Sequence, residues 1–199
     1  MTTVVDPFWV EIPRDVVRVT GTDAVRFLQG QLSQDVAALA AGTSAWSFLL
    51  QPQGKVDAWL RVSRRGDDEF LLDVDGGFGS AVVTRLERFK LRTKADVEQV
   101  PWRCFAVRGT RSAGTGGVVV ADPAWPLVPG VDLLGPEPVA PDGVHTGSGT
   151  DYEVLRIECG VPAMGRELTE RTIPAEAGVV ERSVSFTKGC YTGQELVAR

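Results

Sequence analysis

Lys188-Gly189-Cys190-Tyr191-Thr192-Gly193-Gln194-Glu195 is the stretch on which the reading of this chain turns. Within eight residues it gathers a cation, a thiol, a phenol, two glycines, an amide and a carboxylate, a polar density that packing alone rarely requires. Thr192 and Glu195 have the spacing of a capping box, which predicts a helix beginning at Gly193 and places Cys190 just ahead of its positive end. Lys188 lies two residues from the same thiol. A cation and a helix N-terminus both favour the thiolate, so Cys190 is the candidate reactive group. The blander alternative is a capped helix beside a cysteine that packs as a small apolar side chain.

Working outward, Thr150 and Glu153 repeat the capping-box spacing, and a helix is expected to run to about Cys159 and stop at Gly160, with Pro162 preventing continuation. Nearer the N-terminus, residues 16–20 read as a strand, residues 23–29 as a short helix stopped by Gly30, and Ser33 as the cap of a second short helix through Leu39. Residues 46–50 and 56–62 read as a hairpin around Pro52-Gln53-Gly54, the second strand alternating Val56, Ala58, Leu60 and Val62 with Asp57, Trp59 and Arg61. A strand over 69–74 follows, then Val82, Val83, Leu86 and Phe89 at helical spacing, then strands near Val97 and over 103–107. Residues 109–149, crowded with Gly and Pro, read as exposed loop. Strands grouped with interleaved helices predict an α+β fold with antiparallel sheets. Two subdomains are expected, residues 1–45 with 151–199, carrying the signature, and an inserted ferredoxin-like unit over 46–150.

Composition narrows the function. The chain has 199 residues, 43% of them hydrophobic, enough for real cores. A net charge of -5 argues against a general nucleic-acid binder, whose affinity rests on neutralising phosphates. The sequence shows no leader pattern and no apolar run near 18 residues, so a membrane role is not expected. Cys104, Cys159 and Cys190 are too few and too scattered for a disulfide framework, which fits a reducing cytoplasm. The lone His145 has no ligands near it in sequence, so no metal site is expected.

The octapeptide resembles the signature of the YgfZ (Iba57) folate-binding family, which is related to the glycine-cleavage T-protein. Further segments resemble the same family: Gly21-Thr22-Asp23-Ala24 with Phe27-Leu28-Gln29-Gly30-Gln31-Leu32, Leu49-Leu50-Gln51-Pro52-Gln53-Gly54-Lys55-Val56, Arg156-Ile157-Glu158-Cys159-Gly160-Val161-Pro162, and Thr172-Ile173-Pro174-Ala175-Glu176. The resemblance implies an aminomethyltransferase-type α+β fold around a cavity for tetrahydrofolate or a derivative, and a role in assembly or repair of iron-sulfur enzymes with client or assembly proteins as partners. It implies that Glu158 hydrogen-bonds the pterin ring, whose adjacent N–H donors suit a carboxylate. It places Lys188, Tyr191, Gln194 and Glu195 among the ligand contacts, with Lys55, Arg156 and Arg166 as partners for the carboxylates of a folate tail and Trp59 or Tyr191 as a stacking surface. Relatives continue past the signature into a C-terminal β-barrel, which this chain is expected to lack. Where the T-protein carries an acidic pair, Asp57-Ala58-Trp59 offers one carboxylate, so Asp57 is the candidate for a one-carbon transferase alternative and full aminomethyl transfer is not expected. A thiol-based interaction module using Cys190 is the other alternative.

Overall fold

The structure, a computed structural model, describes residues 5–112, 114 and 117–197. Its strands are β1 (Phe8–Ile12), β2 (Arg14–Thr20), β3 (Ser44–Leu50), β4 (Val56–Arg64), β5 (Glu69–Asp75), β6 (Asp96–Val100), β7 (Arg103–Arg108), β8 (Val119–Ala121), β9 (Gly130–Gly135) and β10 (His145–Thr146). The helices are α1 (Ala24–Gln31), α2 (Gly79–Phe89), α3 (Gly149–Glu158) and the single turn α4 (Val180–Ser183), with 3-10 turns at Pro174–Ala177 and Gln194–Leu196. Two five-stranded sheets carry the fold, in the orders β10-β1-β7-β9-β8 and β3-β4-β5-β2-β6.

The chain divides into two compact units, Met1–Arg14 with Pro101–Pro162, and Asp15–Val100 with Ala163–Arg199. These limits differ from the expected breaks at 45/46 and 150/151. Trp46 lies inside β3, whose residues 44–50 pair with β4 throughout, and residue 150 lies inside α3, so a break at either point would cut a hydrogen-bonded element.

In the first unit, β7 is the central strand. Its register runs Phe8↔Arg108 to Ile12↔Cys104 against β1 and Arg103↔Gly135 to Arg108↔Gly130 against β9, both antiparallel. Phe105, Val107, Val131 and Leu133 form one buried apolar cluster in it, and Trp9 lies over Phe105 with ring centroids 4.7 Å apart. Here the expectation of exposed loop over 109–149 is corrected, because β9 is buried along its whole length. The polar Asp132 tolerates that burial because Arg108 Nη1 donates to its Oδ1 at 2.9 Å. Arg108 is itself fully buried, and its Nε and Nη2 find no hydrogen-bond partner among the described residues. Its guanidinium lies 4.2 Å from the Trp125 ring centroid and 5.3 Å from that of Tyr152, and these cation–π contacts offset part of the desolvation.

The second unit is built on the β3–β4 hairpin. Both faces of β4 are buried, so the expected in-and-out alternation gives way to a strand with polar groups in the interior. Trp59 stacks on Trp46 at 4.1 Å and 19°, and donates from Nε1 to Ser183 Oγ at 2.8 Å. On the same strand Arg61 is wholly buried and pairs bidentately with Asp73, Nε to Oδ2 and Nη2 to Oδ1 both at 3.0 Å. The expected helix after Ser33 does not form. Ser33 is buried instead, donating to Ser183 O at 2.6 Å and accepting from Phe48 N at 2.8 Å, so its hydroxyl ties sheet to chain and cannot cap.

Candidate functional site

The turn that closes α1 organises the signature segment. Helix α1 runs through Gly30 to Gln31, further than expected, because Leu32 N still finds Leu28 O at 2.9 Å. Its last carbonyls have no helical donors. Lys188 joins that end to the chain just past it: Nζ donates to Gln29 O in α1 at 2.7 Å and, beyond the helix, to Leu32 O at 2.7 Å and Gln34 O at 2.8 Å. Thr192 N donates to Gly30 O at 3.1 Å, and Gln194 Oε1 accepts from Tyr191 N at 3.1 Å. Lys188 Nζ also lies 5.1 Å from the Tyr191 ring centroid.

The expected helix at Gly193 is therefore corrected to a three-residue 3-10 turn, Gln194–Leu196, with no side-chain cap from Thr192. Gly193 is the reason. It adopts φ +81°, and a Cβ there would lie 2.4 Å from Gln51 O and 2.7 Å from Leu50 Cβ, so the segment is locked against the hairpin turn rather than free to wind up. Gly54, at φ +82°, makes the reciprocal close approach to Leu196. The helix N-terminus expected just after Cys190 is thus reduced to a single 3-10 turn.

Burial pushes the Lys188 ammonium from 10.5 down to about 8, opposed by the charge of Asp35, which favours the protonated form. Its folded value is thus below its unfolded one, the unfolded chain holds more protons between about pH 8 and 10.5, and the residue's contribution to stability grows as pH rises through that window. The gap in melting temperature between wild type and Lys188→Met is expected to change from pH 7.5 to pH 10 in the direction that favours wild type. A gap that stays constant contradicts the assignment.

Other expected site residues are distributed as follows. Cys190 and Glu195 are exposed, whereas Cys104 and Cys159 are buried. Lys55 is half-buried and Arg166 exposed. Glu158 is exposed on the last turn of α3, a helix capped by a Ser148–Asp151 box two residues earlier than expected and closed by Gly160 at φ +63°. Two residues are withdrawn from the ligand set. Arg156 is buried, reaching Val161 O at 2.5 Å and the Glu153 carboxylate at 3.3 Å, so it holds the helix exit together. Trp59 is core, 2% exposed and engaged on both its ring face and its N–H, so it offers no stacking surface.

Asp57 lines an open cleft of about 380 Å³ between β4 and α2, with Ser80, Thr84, Arg85 and Arg88. Arg85, which sequence reasoning missed, is its partner: Nε to Asp57 Oδ2 at 3.0 Å, with further bonds to Gln31 Oε1 at 3.1 Å and Leu50 O at 2.9 Å. Its guanidinium lies 3.7 Å from the Phe89 ring centroid, and burial pushes its pKa down against the pull of Asp57. Oδ2 of Asp57 is thereby engaged in an ion pair with Arg85. Among the described residues no group of three or more His, Cys, Asp or Glu side chains could hold a metal ion, and no helix is long and apolar enough to cross a membrane.

These two sheets with their helices have the fold of the aminomethyltransferase T proteins. The glycine cleavage system aminomethyltransferase T from Bartonella henselae superposes with a TM-score of 0.66 at 18% identity, covering 86% of this chain and 56% of that one. No family model matches the chain. In sequence it is similar to proteins named as IBA57 iron-sulfur cluster assembly factors. It is 30% identical to human mitochondrial IBA57 and 32% identical to that of Mus musculus, each over 94% of this chain and 60% of the relative. An uncharacterized protein of Haemophilus influenzae is 28% identical over 92% of this chain and 65% of its own length. The chain thus spans between about half and just under two thirds of the curated relatives it matches.

Proposed function

We propose that this chain is a tetrahydrofolate-binding accessory factor for the assembly or repair of iron-sulfur enzymes, acting in the cytoplasm together with client or assembly proteins. The observation that carries the reading is the match to IBA57 assembly factors over 94% of the chain. Its folate part is supported by the aminomethyltransferase T fold and by Glu158, whose exposed carboxylate at the end of α3 is free to accept the paired N–H donors of a pterin. Lys55 and Arg166 remain the cations suited to the carboxylates of a folate tail. The ion pair that occupies Asp57 argues against a transferase and for a binding role.

Calorimetric titration of tetrahydrofolate into the protein and into Glu158→Ala tests this. A saturable isotherm with wild type, and one at least about tenfold weaker in the variant, is the expected result, since a charge-assisted hydrogen bond contributes about 1.5–3 kcal/mol. Absence of binding heat together with an unmoved melting temperature at saturating ligand would sink the folate assignment.

A further inference from the structure

The resemblance counts Lys188 among ligand contacts, yet its ammonium is already occupied on every side that its chemistry allows. An ammonium has three donors and no acceptor, and here three carbonyls, those of Gln29, Leu32 and Gln34, meet it at 2.7 to 2.8 Å. Gln29 lies in the last turn of α1, where backbone acceptors lack helical partners and the negative end of the helix dipole attracts a cation, and Leu32 and Gln34 follow just beyond it. The charge is balanced locally by Asp35, whose own Oδ1 accepts from Gln29 Nε2 at 3.0 Å and Ala38 N at 3.2 Å, and the neighbouring titratable group is the half-buried Tyr191 phenol. Beyond Lys188 the chain runs through Gly189 and Cys190, both exposed, and is tied back by Thr192 N donating to Gly30 O. The thiol is therefore carried on a short bridge with both piers on the same turn of α1.

We propose that Lys188 is a positioning residue rather than a ligand contact: its ammonium fastens the Cys190-bearing loop to the carbonyl end of α1 and so fixes how that loop is displayed. This rests on the reading of the signature segment as the functional face, and it deepens that reading by assigning Lys188, Thr192 and Gln194 to support and leaving Cys190 and Glu195 as the groups on display. Arg85 Nη1 bonds Gln31 Oε1 at the same helix end, so the end of α1 is a common anchor of the loop and of the Asp57 cleft.

Two measurements on the full chain test it, and neither depends on folate. In the first, amide hydrogen exchange at pH 7 is compared among wild type, Lys188→Met and Lys188→Arg. The methionine variant is expected to speed exchange at Tyr191 and Thr192 by tenfold or more while amides in the middle of β4 keep their wild-type protection, and arginine, which keeps the charge and the donors, restores most of the loop protection. Equal loop protection in wild type and Lys188→Met overturns the proposal, as does a uniform rise across β4 and the loop, which would mark a general loss of stability. The second needs no variant. In a ¹⁵N spectrum of the side-chain ammonium groups, Nζ of Lys188 is expected to exchange its protons at least tenfold more slowly than Lys55, Lys90 and Lys94. A Lys188 signal that exchanges as fast as theirs refutes the carbonyl cradle even if the methionine variant does not fold. Because loop protection is read without ligand, a failed folate titration leaves this result standing, and the reverse also holds.

Discussion

Asp73→Ala destabilises the second unit by about 3–5 kcal/mol, because it strands a buried guanidinium that has lost its bidentate partner. Arg61 is fully buried and Asp73 2% exposed, so water cannot replace the carboxylate without opening the sheet. The two side chains lie on adjacent strands with Arg61↔Asp73 in register, and the ion pair therefore fixes β4 against β5 as well as neutralising charge. With a urea m-value of about 2–3 kcal/mol/M, the loss appears as a fall of about 1–2 M in the unfolding midpoint. Tryptophan fluorescence follows the transition, since the Arg61 guanidinium lies 5.3 Å from the Trp46 ring centroid. Replacing both partners, Arg61→Met with Asp73→Leu, is expected to recover most of the stability, since the desolvation penalty leaves together with the attraction. A single variant within about 1 kcal/mol of wild type, or a double variant no better than the single, contradicts this account.

The second large effect is expected from the smallest change in the signature segment. Gly193→Ala places a methyl 2.4 Å from a backbone oxygen and 2.7 Å from Leu50 Cβ, at a φ of +81° that L residues avoid. Left-handed backbone costs about 1–2 kcal/mol and forced overpacking about 1–3 kcal/mol more, so the variant loses roughly 2–5 kcal/mol or releases the loop from the hairpin. Gly189→Ala is the control in the same segment. A methyl added there would meet nothing within 4 Å, and a change within about 0.5 kcal/mol is expected. Thermal melts of the two variants side by side decide the matter, and similar melting temperatures would falsify the interlock of Gly193 with Gln51 and Leu50.

How much of this was legible in the sequence follows from which forces are local. The β3–β4 hairpin, α2 and the end of α3 were readable because each is set by a local pattern: a Pro52-Gln53-Gly54 turn between two strand-forming runs, helical spacing, or a glycine at the helix exit. Ser33 and Thr192 carried equally good local signals and failed because distant chain intervened: Ser33 gives its hydroxyl to Ser183 O, 150 residues away, and Gly193, next to Thr192, is packed against Leu50 and Gln51. β9 was missed because Gly130-Val131-Asp132-Leu133-Leu134-Gly135 has an acid at its centre, and the ion pair with Arg108, 24 residues earlier, helps that acid sit in a buried strand. In the candidate site, the signature was found by its composition, yet the use made of each member was not. Whether Lys188 faces a thiol, a ligand or three carbonyls depends on where α1 ends, and whether Asp57 is a base or an ion-pair partner depends on Arg85, which no spacing rule connects to it.

The pairing of β1 with β7 also sets a timetable for biosynthesis. Ile12 waits for Cys104, and Phe8 for Arg108, so the first strand leaves the ribosome long before the central strand of its own sheet exists. At about 5–20 residues per second, the delay is on the order of 5–20 s, during which Phe8, Val10 and Ile12 stay without their sheet while the polypeptide between them is made. The strands of the β3–β4 and β4–β5 hairpins are all synthesised before the partner of the opening strand, so β1 has no sheet to join until β7 has been made.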